Sequence, residues 1–121
     1  MSSAVCIVDD DASVRKSLAN LLRSAGFDSM AFAAGTAFLK SAAAREAGCV
    51  LLDWKMPGMS GLDVQRELAL LNWHLPVICM SAHWDEAATR AALGNGALAC
   101  LGKPFTEEAL LKLVEQALAS G

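Results

Sequence analysis

Short apolar runs alternate with longer amphipathic segments along the whole chain. The apolar runs cover residues 4–8, 29–33, 49–52, 77–80 and 97–101. Four of them are almost free of polar residues, which is typical of parallel strands covered on both faces. The run at 29–33 is the most polar of the five, so we expect that strand at an edge of the sheet.

The segments between these runs carry helical patterns. Helices are predicted near 12–25, 36–46, 61–71, 85–93 and 106–119. In the first of them, Val14, Leu18, Leu21 and Leu22 share one face, as an amphipathic helix requires. Five strand–helix units in succession predict a doubly wound (βα)5 fold of the α/β class. Its parallel sheet would be covered by helices on both faces, and residues 1–121 would form one domain.

Composition and charge narrow the possible functions. The chain has 121 residues, of which 55% are hydrophobic and 19% charged, as in an ordinary globular domain. The net charge is −3 and no basic run exceeds Arg15-Lys16, which argues against direct nucleic acid binding by this domain. No apolar run approaches the roughly 20 residues needed to span a bilayer, and no signal peptide is recognisable. We therefore expect no membrane association and a cytoplasmic location.

The four cysteines lack the CxxC spacing of a metal or redox motif. Cys6, Cys49, Cys79 and Cys100 each lie in or beside a predicted strand. We interpret them as buried, reduced thiols that act as small hydrophobic side chains. A zinc site or disulfides remain the alternative.

Polar residues follow the predicted strands where each strand ends. Asp9 and Asp10 follow the first strand, Asp53 the third, Ser81 the fourth and Lys103 the fifth. Ligand sites of open α/β sheets form outside the carboxyl ends of the strands. We therefore expect these five side chains to converge on one edge of the sheet.

Such a group of side chains suits phosphoryl transfer. Three crowded carboxylates repel one another, and a hard divalent cation with oxygen ligands relieves that repulsion. Mg²⁺ (or Mn²⁺) is the expected cofactor. Lys103 adds a positive charge and Ser81 a hydrogen-bond donor for phosphoryl oxygens, while a carboxylate can serve as the nucleophile.

Four motifs resemble the signature of the bacterial response-regulator receiver domain, the family of the chemotaxis regulators. They are Val8-Asp9-Asp10-Asp11, the segment from Leu51 to Gly61 around Asp53, Met80-Ser81-Ala82 and Gly102-Lys103-Pro104-Phe105. The resemblance covers the whole chain and implies a flavodoxin-like sheet of order 2-1-3-4-5. It also implies that this chain is a signalling switch rather than an enzyme in the turnover sense.

The resemblance assigns roles to individual residues. Asp53 would accept the phosphoryl group, and Ser81 and Lys103 would contact it. Asp10, Asp53 and the backbone carbonyl of Lys55 would bind Mg²⁺ directly, with Asp9 acting through water. The Lys103–Pro104 peptide bond would be cis.

Three positions depart from the family pattern or vary within it. Cys100 stands where the family usually has Phe or Tyr, so transmission of the signal is expected to run mainly through the loop at 81–85. An unchanged activated conformation in a phosphorylated Ser81→Ala variant would contradict that hypothesis. Lys55 and His83 lie two residues after Asp53 and Ser81, and we expect them to slow self-dephosphorylation.

Simpler roles are also open to the same residues. Asp11 is expected to cap the first helix, and a capping role is also open to Asp10 and Ser81. Asp53 could be a turn residue and Lys103 a solvated lysine. His74 and His83 lack a ligand-like spacing and are expected to be surface histidines, while Trp54 is expected to border the site.

The sequence pattern bears on three other classes of protein. An interaction module that signals without phosphate stays open because of Cys100. A phosphatase resembling the haloacid dehalogenases would place its nucleophile after the first strand of a larger chain. A nucleotide-binding domain would have a glycine-rich loop after the first strand, which this sequence lacks.

The resemblance also implies partners. A sensor histidine kinase would supply the phosphoryl group, and the face at 85–119 would contact an output domain or a second copy of the chain. Charged residues expected on that face are Glu86, Arg90, Glu108, Lys112 and Glu115. Because many relatives carry a DNA-binding domain after the last helix, we expect an excised part of a longer regulator, with a stand-alone receiver as the alternative.

Overall fold

The computed structural model describes residues 4–120 as five strands that alternate with helices. The strands are β1 (Val5–Val8), β2 (Ser29–Phe32), β3 (Cys49–Asp53), β4 (Val77–Ser81) and β5 (Ala97–Gly102). The helices are α1 (Ala12–Ser24), α2 (Gly35–Lys40), α3 (Gly61–Leu70), α4 (Glu86–Gly94) and α5 (Glu107–Ser120). All strand pairs are parallel and the sheet order is β2-β1-β3-β4-β5. The expected fold class and sheet order are confirmed, including an edge position for β2.

Each face of the sheet carries its own hydrophobic core. One core joins alternate strand residues such as Ile7 and Leu51 to α1 and α5. The other joins the intervening residues, such as Val8 and Leu52, to α2, α3 and α4. Because both faces are covered, every residue of β1, β3 and β4 is buried, which explains the nearly uninterrupted apolar runs.

Side chains cap the first turns of several helices, among them α1, α3 and α4. Asp11 accepts a hydrogen bond from the backbone of Ser13, which confirms its expected role as the cap of α1. Ser60 and Asp63 form a capping box at the start of α3. Asp85 accepts from the backbone N–H of Ala88 at the start of α4. Each such cap typically contributes about 1 kcal/mol and determines where the preceding loop ends.

The helix predicted over 36–46 is wrong as a single element. The structure has α2, which ends at Lys40, and a separate 3₁₀ helix (Ala43–Glu46). Ser41 separates them because its backbone is extended and its hydroxyl accepts a hydrogen bond from the N–H of Ala44. Serine competes in this way for backbone groups that a continuous helix would use.

The four cysteines are free thiols in four of the strands. Three are buried and Cys100 is partly buried. Burial raises the pKa of Cys6 to about 11 and of Cys79 to about 12. These thiols stay protonated at neutral pH, in keeping with their interpretation as small hydrophobic side chains. Within residues 4–120, none of the helices has the length and apolar composition needed to cross a membrane.

Candidate functional site

The carboxyl ends of β1, β3, β4 and β5 surround a cleft of about 290 Å³. Val8 is paired with Leu52 and Ser81 with Gly102, so the residues that follow the strands emerge side by side. The backbone N–H of Lys103 donates to the carbonyl of Ser81 over 2.8 Å, which joins the ends of β4 and β5. All six residues expected at the site line this cleft. The lining is Asp9, Asp10, Asp11, Asp53, Lys55, Ser81, Ala82, His83 and Lys103.

Backbone contacts fix the position of Asp53 at the end of the central strand. The N–H of the next residue, Trp54, donates to the carbonyl of Met80 over 2.8 Å. The N–H of Gly61 donates to the carbonyl of Trp54 over 3.0 Å. A Cβ atom at Gly61 would lie only 2.8 Å from the carbonyl oxygen of Asp53. The first residue of α3 must therefore be glycine for the helix to approach the site this closely.

The acidic segment after β1 is held from two sides. The backbone N–H of Asp9 donates to the carbonyl of Phe32, and its carboxylate accepts from the N–H of Asp11. The guanidinium of Arg15 donates to the backbone carbonyl of Asp9 over 2.8 Å. Sequence reasoning missed Arg15 because its partner is a main-chain oxygen, which leaves no signal in residue type or spacing.

Lys103 lies between the two buried carboxylates. Its ammonium nitrogen is 2.9 Å from Asp9 Oδ2 and 3.3 Å from Asp53 Oδ1. Burial alone would lower the pKa of Lys103, but the hydrogen bond to Asp9 and the negative charges of both carboxylates outweigh it and raise the pKa. Lys103 is therefore a fixed positive charge at neutral pH.

The carboxyl group of Asp53 has a raised pKa of about 6. Burial is the largest cause and the negative charge of Asp9 the next, while Lys103 opposes both. One lysine thus compensates only part of the cost of placing these carboxylates together. The site retains an excess of negative charge that a cation would relieve.

The donor set fits a hard divalent cation. Asp9, Asp10 and Asp53 each offer a carboxylate oxygen, and these oxygens lie within 4.8 Å of one another. Among the described residues, no other cluster of three His, Cys, Asp or Glu side chains could hold a metal ion. Oxygen donors of this kind suit Mg²⁺ or Mn²⁺. The carbonyl of Lys55 as a further ligand stays a prediction.

The hydroxyl of Ser81 is engaged with the loop that follows β4. It donates to the carbonyl of His83 over 3.0 Å and accepts from the N–H of the same residue over 3.2 Å. Ser81 itself is buried at the cleft, whereas His83 is exposed. The hydroxyl must give up its bond to the His83 carbonyl before it can donate to a group bound at Asp53.

Two tryptophans directly follow residues of the cleft in the chain. Trp54 is buried, and its ring centre is 5.3 Å from that of Trp84 in the loop before α4. Trp54 directly follows Asp53 but is not among the residues that line the cleft, so its bordering of the site stays a prediction. No sequence motif indicates a role for Trp84, because the contact joins two loops that lie 30 positions apart in the chain.

Comparison with known proteins agrees with this geometry. Residues 5–115 match the family model of the response regulator receiver domain. The chain belongs to that family. The cis Lys103–Pro104 peptide bond, expected from the family resemblance, is present in this receiver domain. Its role is in signalling, and the match is consistent with a phosphoacceptor switch of a two-component system.

The receiver domain is similar to the amino-acid sequences of several regulators. It is 44% identical over 110 residues to Nodulation protein W of Bradyrhizobium diazoefficiens, covering 91% of this chain and 48% of that protein. It is also 44% identical over 116 residues to Response regulator protein TmoT of Ectopseudomonas mendocina, covering 96% of this chain and 53% of that protein. The chain thus spans about half the length of the curated relatives it matches.

Solved structures show the same fold. The response regulator StyR superposes with a TM-score of 0.89 at 43% identity, over 97% of this chain and 59% of that chain. Chemotaxis protein CheY4 of Vibrio cholerae superposes with a TM-score of 0.87 at 26% identity, over 98% of this chain and all of that one.

Proposed function

We propose that Asp53 accepts a phosphoryl group from the phosphohistidine of a sensor histidine kinase and that the filled site changes the output surface of the domain. The observation that carries this proposal is the position of Asp53. Its carboxylate is buried at the end of the central strand, beside two other aspartates and 3.3 Å from the ammonium of Lys103. A carboxylate in this position can act as a nucleophile, and the ammonium of Lys103 can contact the incoming phosphoryl oxygens.

In the transfer step, the protein mainly positions the reacting groups and stabilises their charges. An Asp53 carboxylate oxygen attacks phosphorus, the bond between phosphorus and the histidine nitrogen breaks, and the imidazole leaves. With a pKa of about 6, Asp53 is ionised in roughly nine molecules of ten or more above pH 7, so the nucleophile is available. Lys103 would donate to a phosphoryl oxygen and offset its charge.

The family resemblance suggests the roles of the remaining site residues. Asp10, Asp53 and the Lys55 carbonyl would hold Mg²⁺ (or Mn²⁺), with Asp9 acting through water. When bound, the cation supplies neutralisation of the carboxylate and phosphoryl charges that crowd the cleft. Ser81 would turn its hydroxyl from His83 to the phosphoryl group.

The domain would act as a switch and not as a turnover enzyme. The filled site would bias a two-state equilibrium of the face at 85–119. The charged residues expected there are all exposed: Glu86, Arg90, Glu108, Lys112 and Glu115. An output domain or a second copy would bind this face, and a role without direct nucleic acid contact accords with the acidic net charge. The cytoplasmic location stays a prediction.

Intact-mass spectrometry after incubation with acetyl phosphate and Mg²⁺ tests the proposal. We expect one phosphoryl adduct on the wild type and none when Mg²⁺ is omitted. The Asp53→Asn variant should form no adduct. Asp28→Asn is the matched control, because Asp28 is an exposed aspartate outside the cleft, and it should react like the wild type.

Absence of an adduct on folded wild-type protein with Mg²⁺ bound would count against phosphoryl transfer from small donors. An adduct that persists in Asp53→Asn would place the phosphoacceptor elsewhere. If purified histidine kinases also failed to transfer phosphate, the phosphate-independent interaction module would become the better explanation.

A further inference from the structure

A chain of contacts leads from Asp53 to the loop between β4 and α4. Trp54 follows Asp53 directly and is only 9% exposed. Its ring is tilted by 44° against the ring of Trp84, at 5.3 Å between centres. Aromatic pairs in this range stabilise a structure beyond the effect of the area that they bury. The residue after the phosphorylation site therefore packs directly on the loop that leads into α4.

Trp84 also bonds to the edge strand of the sheet. Its indole N–H donates to the backbone carbonyl of Leu101 on β5 over 3.0 Å. This hydrogen bond holds the polar edge of the half-buried indole. Packing against the core and Trp54 holds the apolar part of the ring. The loop between β4 and α4 is thus attached to β5 by a side chain.

The same loop is attached to the phosphorylation site by Ser81. Both hydrogen bonds of the Ser81 hydroxyl are made with His83, the residue directly before Trp84. Asp85, the residue after Trp84, caps α4. A rotation of the Ser81 hydroxyl towards Asp53 therefore releases His83, the neighbour of Trp84, three residues before α4 begins.

Strand β5 has no large aromatic side chain near this loop. Cys100 occupies the position before Leu101, is partly buried and packs against the same core as Trp84. A thiol is too small to transmit a displacement across the strand. The bulky group next to β5 belongs to the loop instead.

We propose that Trp84 is the positioning residue that couples Asp53 to α4 and β5. Its indole holds the loop against β5 while Asp53 is unmodified and leaves Leu101 when Ser81 turns to the phosphoryl group. The proposal rests on phosphorylation of Asp53 but goes beyond it, because it names the side chain that carries the signal.

Indole N–H resonances provide the test. The chain has three tryptophans, and single Trp→Phe variants assign each signal in ¹⁵N NMR spectra. On phosphorylation with acetyl phosphate and Mg²⁺, we expect the Trp84 N–H resonance to shift. We also expect the hydrogen exchange of this N–H to become at least tenfold faster. The Trp73 N–H should stay in place, because that ring stacks on Phe38 away from the cleft.

A conservative variant separates coupling from packing. Trp84→Phe keeps an aromatic ring for Trp54 but has no N–H for Leu101. We expect it to accept phosphate at a rate within about twofold of the wild type, while α4 amides of the unphosphorylated variant move part of the way towards their phosphorylated positions. Trp73→Phe should leave those amides where they are.

The outcomes distinguish this proposal from the proposed function. An adduct on Asp53 with an unmoved, still protected Trp84 N–H overturns the coupling role and leaves phosphorylation intact. Unphosphorylated Trp84→Phe with wild-type α4 shifts overturns it as well. A chain that takes no phosphate from any donor overturns both.

Discussion

Replacing Asp53 with asparagine tests whether the negative charge of the cation-free site destabilises the fold. Asparagine has the shape of aspartic acid but no charge, so the variant resembles the protonated wild type. In the absence of Mg²⁺, the wild type holds the ionised Asp53 beside Asp9 in a buried position. We therefore expect Asp53→Asn to increase the free energy of unfolding at pH 7.5, although it removes a contact with Lys103.

The magnitude follows from the pKa. The value of about 6, against the ordinary 3.8, corresponds to about 3 kcal/mol at about 1.36 kcal/mol per pKa unit. The cleft opens to water, and solvent screening reduces this to about 1–2 kcal/mol. Between pH 3.8 and 6 the folded state of the wild type binds more protons than the unfolded state, so its stability falls as pH rises through that window. The difference in free energy of unfolding between the variant and the wild type should thus be small at pH 4 and reach its full value by pH 7.

Urea denaturation followed by circular dichroism, at several pH values without divalent cations, measures this difference. The exposed Asp28→Asn change is the control and should alter stability by less than about 0.5 kcal/mol at every pH. Added Mg²⁺ should stabilise the wild type by mass action and narrow the gap. A variant that is less stable than the wild type, or a gap that does not change with pH, would refute the electrostatic argument.

Three further changes probe neighbouring parts of the structure. Gly61→Ala should destabilise the fold by about 1–3 kcal/mol, because the new Cβ meets the Asp53 carbonyl at 2.8 Å; Gly94→Ala, with nothing within 4 Å, is the control in the same denaturation assay. Mg²⁺ affinity, followed by calorimetric titration, should fall about tenfold from pH 7.5 to pH 5, because protonation of Asp53, with its pKa of about 6, competes with the metal. The double variant Lys55→Ala, His83→Ala should lose its phosphoryl group faster than the wild type in a mass-spectrometric time course, and slower loss would contradict a shielding role.

The position of the site was predictable from the sequence because parallel strands share a direction. Once 4–8, 49–52, 77–80 and 97–101 are interpreted as strands, Asp9, Asp53, Ser81 and Lys103 must meet at one edge. The order of the strands was not available from periodicity and came from the family resemblance.

Other features depend on contacts that a residue pattern does not encode. Arg15 binds a main-chain carbonyl, and Gly61 is required by a close approach between a helix and a strand. The break at Ser41 depends on one side-chain hydrogen bond. Such features become visible only when the chain is folded, since each joins a common residue type to backbone atoms.

The cysteine at position 100 and the tryptophan at position 84 are best explained together. Cys100 leaves β5 without an aromatic side chain, and the half-buried indole of Trp84 packs against the same core. The loop at 81–85, where we expect the signal to travel, is also the segment that Ser81, Trp84 and Asp85 fix at three successive points. Those three contacts differ in kind: a hydroxyl that can rotate, an indole hydrogen bond that can break, and a helix cap that moves with α4. A phosphoryl group at Asp53 would act on the first contact, and its effect would reach the other two along the short loop.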